Sequence, residues 1–129
     1  MGLAVCYDIR FPELFRLMAA KGAKVILVPA SFNMTTGPVH WELLFRSQAV
    51  FNQAFVVGTA PARDTDSSYV SWSHSIITDP WGNTISQMEA KEELRITEIN
   101  LTLCDEVREQ IPVLRHLRED VYTLKERRE

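Results

Sequence analysis

Apolar positions along the chain fall first into two short continuous runs. Residues 2–7, GLAVCY, and 23–30, AKVILVPA, are too short and too uniformly apolar for amphipathic helices, so they predict strands buried on both faces. Between them, DIRFPELFRLMAAKG carries Leu14, Phe15, Leu17 and Met18 at helical spacing, with Pro12 suited to a first turn and Gly22 to a C-terminal stop. Strand, helix and strand in thirty residues predict a βαβ unit with parallel strands and a right-handed crossover. A loop follows at 31–40, SFNMTTGPVH. Residues 40–52 then predict a second helix and 54–62, AFVVGTAPA, a third strand.

Beyond residue 62 the pattern changes. RDTDSSYVS is a polar loop, WSHSIITD a strand, PWGN a tight turn and TISQME the returning strand of a hairpin. Alternation in 93–101, ELRITEINL, predicts one more strand. TLCDEVREQI predicts a short helix that Thr102 or Asp105 could cap and Pro112 ends, leaving 113–129 as a C-terminal tail. The fold class expected is α/β with mixed strand directions.

Composition narrows the function classes. A length of 129 residues fits one domain, and 46% apolar with 24% charged residues is globular composition. A net charge of −3 gives no general attraction to nucleic acid or anionic membrane. No apolar run approaches the roughly 20 residues of a membrane span. The N-terminus lacks the pattern of a secretory signal, so the expected compartment is the cytoplasm. Cys6 and Cys104 are far apart and form neither a disulfide framework nor a C-x-x-C metal motif.

Cys6 is the residue with the clearest chemical potential. It sits at the end of a predicted parallel strand and directly before a helix, the edge at which α/β folds deliver side chains to a crevice. Placement alone leaves two readings open, a nucleophilic thiol and a small hydrophobe in the core. No G-x-S-x-G elbow, P-loop or dinucleotide-binding glycine pattern is present. His40 and Glu42, at i and i+2, point from different helix faces, and His74 with Asp64 and Asp66 lacks ligand-like spacing, so no metal is expected. Trp41, Phe45, Phe51 and Phe55 read as core and interface residues. Arg10, on spacing alone, reads as a surface partner of Glu13.

GLAVCYDIRFPEL resembles the nucleophile segment of the nitrilase, or carbon–nitrogen hydrolase, superfamily. PASFNMTTGPVHWELLFRSQAVFNQAFVVGTAPARD, followed by SHSIITDPWG, is similar to its ω-amidase branch, and the likeness runs from Gly2 to about Tyr122. The resemblance implies part of an αββα sandwich whose members hydrolyse amides or nitriles through a thioester. It makes Cys6 the nucleophile and the backbone N–H of Tyr7 an oxyanion donor. It also implies that Arg10 binds the far carboxylate of a short 2-oxo acid amide, and that Phe32 and Thr36 line the substrate pocket. No cofactor is implied. In this resemblance Ser73 stands where the branch usually has glycine.

The family's activating glutamate, lysine and second glutamate lie upstream of the nucleophile strand. Residues 1–129 are therefore expected to form a single, partial carbon–nitrogen hydrolase domain, matching the C-terminal half and inactive alone. Apolar sandwich faces left open imply a homo-oligomer or association through those faces. The alternatives are a non-catalytic binding or assembly module with an inert Cys6, or a normal enzyme completed by an upstream segment.

Overall fold

A computed structural model describes residues 1–127. Its elements, in chain order, are β1 (Gly2–Leu3), α1 (Pro12–Ala20), β2 (Val25–Pro29), α2 (Gly37–Asn52), β3 (Phe55–Thr59), β4 (Ile76–Thr78), β5 (Thr84–Gln87) and α3 (Thr102–Gln110). Short 3-10 turns occupy Cys6–Arg10 and Val113–Arg115. The strands form one sheet in sequence order. β1, β2 and β3 run parallel, whereas β4 and β5 are each antiparallel to their predecessor. The expected α/β architecture with mixed strand directions is therefore present.

The register explains where the core sits. Gly2, Ile26, Val56 and Thr78 lie in one row across the sheet, and Val28, Gly58 and Ile76 in another on the same side. These rows face α1 and α2. A Cβ at Gly58 would stand 2.5 Å from the Phe45 ring, so α2 approaches β3 as closely as glycine permits. The Thr78 hydroxyl lies 3.2 Å from both the Phe45 and Val56 carbonyls, tying helix to sheet. Ile9, Phe15, Ile26, Val28, Trp41, Phe45, Val56 and Ile76 form the fully buried core of this side.

α3 closes the edge at which β2 and β3 begin. Arg108 donates to the Ala23 carbonyl at 2.9 Å, and Gln53 to the Ile111 carbonyl at 2.5 Å. Cys104 is fully buried there, its thiol 3.5 Å from the Lys24 carbonyl.

Several sequence expectations are corrected. The 2–7 run pairs only over Gly2–Leu3, and as an edge strand it leaves Leu3 and Val5 exposed rather than buried on both faces. The first helix does start at Pro12, as expected of a proline in a first turn, and residues 6–10 before it form a separate, tighter turn. α2 starts at Gly37, three residues before the apolar periodicity, since Pro38 fits the first helical turn. The 54–62 strand pairs only over Phe55–Thr59, and the 72–79 strand only over Ile76–Thr78. Residues 93–101 form no strand: Leu94 and Ile96 are more than 90% exposed, and no ladder takes their backbone. The N-cap of α3 is Leu101, with the Thr102 N–H taken by the Asn100 side chain at 3.0 Å. Of the 113–129 tail, Lys21 pairs with Glu126 at 2.6 Å, and positions 128 and 129 lie outside the described residues.

Candidate active site

Val5 is the last extended residue before a reversal. Its φ is −127°, whereas Cys6 has a φ of 47°, in the left-handed region that non-glycine residues seldom occupy. Asp8 fixes the reversal from both sides. Its N–H donates to the Val5 carbonyl at 3.0 Å, while its carboxylate accepts the Val5 N–H at 2.8 Å. The result is a sharp strand-to-turn elbow with the thiol of Cys6 at its apex, half-buried. The Gln48 amide on α2 donates to the Ile9 carbonyl at 2.9 Å and anchors the far end of the turn to the core.

A second wall comes from the loop after β2. The Cys6 thiol lies 3.8 Å from the Ser31 carbonyl, which also accepts the Tyr69 hydroxyl at 2.8 Å. The Ser31 and Ser71 hydroxyls are 3.0 Å apart. The Trp72 N–H donates to the Phe32 carbonyl at 2.7 Å, and the Trp41 indole donates to the His74 carbonyl at 2.7 Å. Loops 31–36 and 69–75, separated by an entire helix and strand in sequence, are thereby held together above the elbow.

Arg10 lies over two aromatic rings of this site. Its guanidinium carbon is 5.0 Å from the Phe32 centroid and 5.6 Å from that of Tyr7, both within cation–π range. Its Nη1 is 3.2 Å from Nδ1 of His40. Phe32 is itself held edge-on to Trp41, with centroids 5.1 Å apart. The ion pair with Glu13 suggested by spacing is not formed, and among the described residues no carboxylate pairs with Arg10. A half-buried guanidinium without a carboxylate partner, in an aromatic setting, is suited to a bidentate anion.

Tyr7 and Thr36 are in different situations. The Tyr7 N–H is one of the orphan donors at the start of the 3-10 turn, and among the described residues nothing accepts it. Thr36 donates its hydroxyl to the Asn33 side chain at 3.0 Å, and its N–H goes to the same oxygen at 2.8 Å. That shapes the turn entering α2, and no hydrogen bond joins Thr36 to Cys6 or Arg10 among the described residues. Of the sequence candidates, Tyr7, Arg10 and Phe32 form one cluster with Cys6 at the same elbow. Sequence reading missed Ser31, Tyr69 and the contact of His40 with Arg10. An isolated tyrosine in the polar loop 63–71 was the one available signal for Tyr69.

No carboxylate or amine hydrogen-bonds the Cys6 thiol among the described residues, and they contain no cluster of three metal-ligating side chains. Cys104 lies in a different setting: burial pushes its thiol pKa up, opposed by the Phe55 backbone, Arg108 and Lys24 and reinforced by Asp105. A buried, protonated thiol is a poor nucleophile.

The model of the carbon-nitrogen hydrolase family matches residues 1–109. The chain belongs to that family. It is 47% identical over 128 residues to omega-amidase NIT2-A of Xenopus laevis, covering 99% of this chain and 46% of the relative. Omega-amidase NIT2 of Mus musculus is 44% identical, with the same coverage. The chain thus spans about half the length of the curated relatives it matches. Among solved structures, Saccharomyces cerevisiae Nit3, of branch 10 of the nitrilase superfamily, superposes with a TM-score of 0.86 at 42% identity, covering 91% of this chain and 43% of that one. The C. elegans NitFhit protein gives 0.91 at 40% identity, over 95% and 30%. The five-stranded sheet with α1 and α2 on one face is accordingly one part of a nitrilase-type sandwich.

Proposed function

We propose that this carbon–nitrogen hydrolase chain carries the nucleophile and the carboxylate-reading wall of an ω-amidase-like amidohydrolase. Its substrate would be the amide of a small carboxylate, such as a 2-oxo acid amide. The observation that carries this reading is the elbow itself, which holds a left-handed Cys6, the free N–H of Tyr7 and the carboxylate-free Arg10 on five consecutive residues.

In the reaction, the Cys6 thiolate attacks the amide carbon, and the Tyr7 N–H donates to the oxyanion that develops. Collapse of the tetrahedral adduct breaks the C–N bond, and the nitrogen leaves as ammonia after taking up a proton. The resulting Cys6 thioester is cleaved by water, giving the acid and restoring the thiol. Arg10, with its guanidinium over Phe32, binds the distant carboxylate. Thr36 serves as a pocket residue through the turn it builds rather than through its committed hydroxyl. The general base is expected to be the family's upstream glutamate, with its lysine and second glutamate assisting, and the 129-residue chain alone is expected to release little ammonia. The two free cysteines suit a cytoplasmic setting. The half-exposed rear face of the sheet suits association, with a second copy or with another chain.

An activated acyl donor tests the nucleophile in these 129 residues independently of a general base. Mono-p-nitrophenyl succinate should release one equivalent of nitrophenolate per chain in a burst, with the succinyl mass on Cys6 and neither signal in Cys6→Ser. Acylation of Cys104 instead, or a burst that Cys6→Ser leaves unchanged, refutes the assignment. Ammonia release from a 2-oxo acid amide, compared between the native chain and Cys6→Ser, tests turnover in the same way.

A further inference from the structure

We propose that His40 is a positioning and specificity-determining residue for the carboxylate site, an inference that rests on the reading of Arg10 given above. The contact of Arg10 Nη1 with His40 Nδ1, at 3.2 Å, has a fixed direction. A guanidinium has five donors and no acceptor, so Nδ1 must be the acceptor and carry no proton. His40 therefore holds Arg10 as a neutral imidazole protonated at Nε2.

That contact consumes one N–H of the guanidinium and leaves the remainder of the fork available. The rings of Phe32 and Tyr7, at 5.0 and 5.6 Å, supply attraction but no directional anchor, because a cation slides over a π face at little cost. His40 is the one side chain among the described residues whose hydrogen bond sets the rotation of the guanidinium. It is well placed for this. His40 lies in the first turn of α2, its N–H bonded to the Thr36 carbonyl at 2.8 Å, and the following residue is the buried Trp41. Trp41 in turn holds Phe32 edge-on at 5.1 Å. One helical turn thus fixes both the hydrogen-bonding partner of Arg10 and the ring beneath it. An anchored fork selects substrates with a planar, bidentate anion at the right distance from the thiol, and discriminates against amides that lack one.

The test uses protection of Cys6 from iodoacetamide, followed by mass spectrometry, with two probes that differ by one charge: succinamate, a half-amide with a free carboxylate, and its uncharged diamide succinamide. Native protein should be protected by succinamate at much lower concentration than by succinamide. His40→Ala should raise the half-protecting concentration of succinamate roughly tenfold, the effect of losing about one hydrogen bond to a charged group, while leaving succinamide unchanged. His40→Asn, which keeps an acceptor near the position of Nδ1, should recover most of the loss. Arg10→Ala should abolish the preference.

The outcomes separate the two claims. If Arg10→Ala abolishes the preference and His40→Ala behaves as native, the His40 proposal is overturned and the carboxylate reading stands. Equal weakening of both probes in His40→Ala marks a merely structural role and also overturns it, as does a failure of His40→Asn to recover the preference in a protein that retains its native circular dichroism. If native protein shows no preference for succinamate, the carboxylate reading fails and the proposal fails with it.

Discussion

The rear face of the sheet makes a strong prediction about association. In the register, Leu3, Leu27, Val57 and Ile77 lie in one row on the side opposite α1 and α2. Leu27, Val57 and Ile77 are only half-buried, and Leu3 is 66% exposed. The accessible surface of the chain is 8278 Å² for 14.8 kDa, whereas a compact monomer of that mass exposes about 7000 Å². The difference exceeds the roughly 800 Å² that each partner contributes to a standard interface. Part of it comes from Leu94 and Ile96, which extend from residues 93–97 beside this face, but the continuous apolar row is what a partner would cover. Leu3→Lys is the informative perturbation, because an edge-strand side chain can be changed without opening the core. Covering an exposed leucine is worth about 1.5 kcal/mol, which counts twice in a two-fold dimer, so the substitution should raise the dimer dissociation constant roughly a hundredfold. Sedimentation velocity over a wide dilution series measures it. A native chain that stays monomeric at every concentration and melts in one sharp transition would refute the reasoning.

Other outcomes follow from the same geometry. Limiting iodoacetamide should label Cys6 at least about tenfold faster than Cys104, since the latter is fully buried with its pKa pushed up; equal rates by peptide mapping would contradict this. The same burial sets a pH dependence. The Cys104 thiol releases its proton more readily when unfolded than when folded, so its contribution is complete below the unfolded pKa and is lost as pH rises through the folded one. Urea midpoints should fall on the alkaline side of the ordinary thiol range, and Cys104→Val should flatten that decline. Phe45→Ala should cost about 3 to 5 kcal/mol, because the ring is fully buried against Trp41 and Gly58. Gly58→Ala should cost about 1 to 3 kcal/mol alone through its clash with that ring, and markedly less in the Phe45→Ala background; additive costs in urea unfolding would mean that the two do not share the space.

What the sequence made legible was local. The 23–30 and 54–62 runs contain β2 and β3, and the helical spacing of Leu14, Phe15, Leu17 and Met18 lies on α1, because burial repeats with the period of the element. The hairpin turn was also legible, with Gly82 at a φ of 84° and the Asp79 carboxylate accepting the N–H groups of Trp81 and Asn83 at 2.9 Å each. Failures came where neighbours decide. An apolar run does not reveal whether both its faces are covered, and at the edge strand β1 Leu3 and Val5 face outward. Alternation in 93–101 had no strand to pair with. The contact between Arg10 and His40 spans thirty residues, and no local pattern encodes it.

The strained residues carry this argument to the site itself. Among the described residues four non-glycine positions have positive φ, and three of them, Cys6, Ser73 and His74, belong to the elbow and to the loop packed over it. Ser73, at 67°, sits in the left-handed region that favours glycine. Serine is held there by its neighbours. The Ser73 N–H reaches the Ser71 hydroxyl at 3.1 Å, and its own hydroxyl lies 3.4 Å from the Ser71 carbonyl. The left-handed His74 that follows presents its carbonyl to the Trp41 indole at 2.7 Å, and Trp41 fixes Phe32 beneath Arg10. Backbone strain of this kind persists only where surrounding contacts over-determine it. Here the contacts holding the strain are the same ones that orient Phe32 and Arg10 beside the thiol, so this wall of the elbow is already fixed in the free chain.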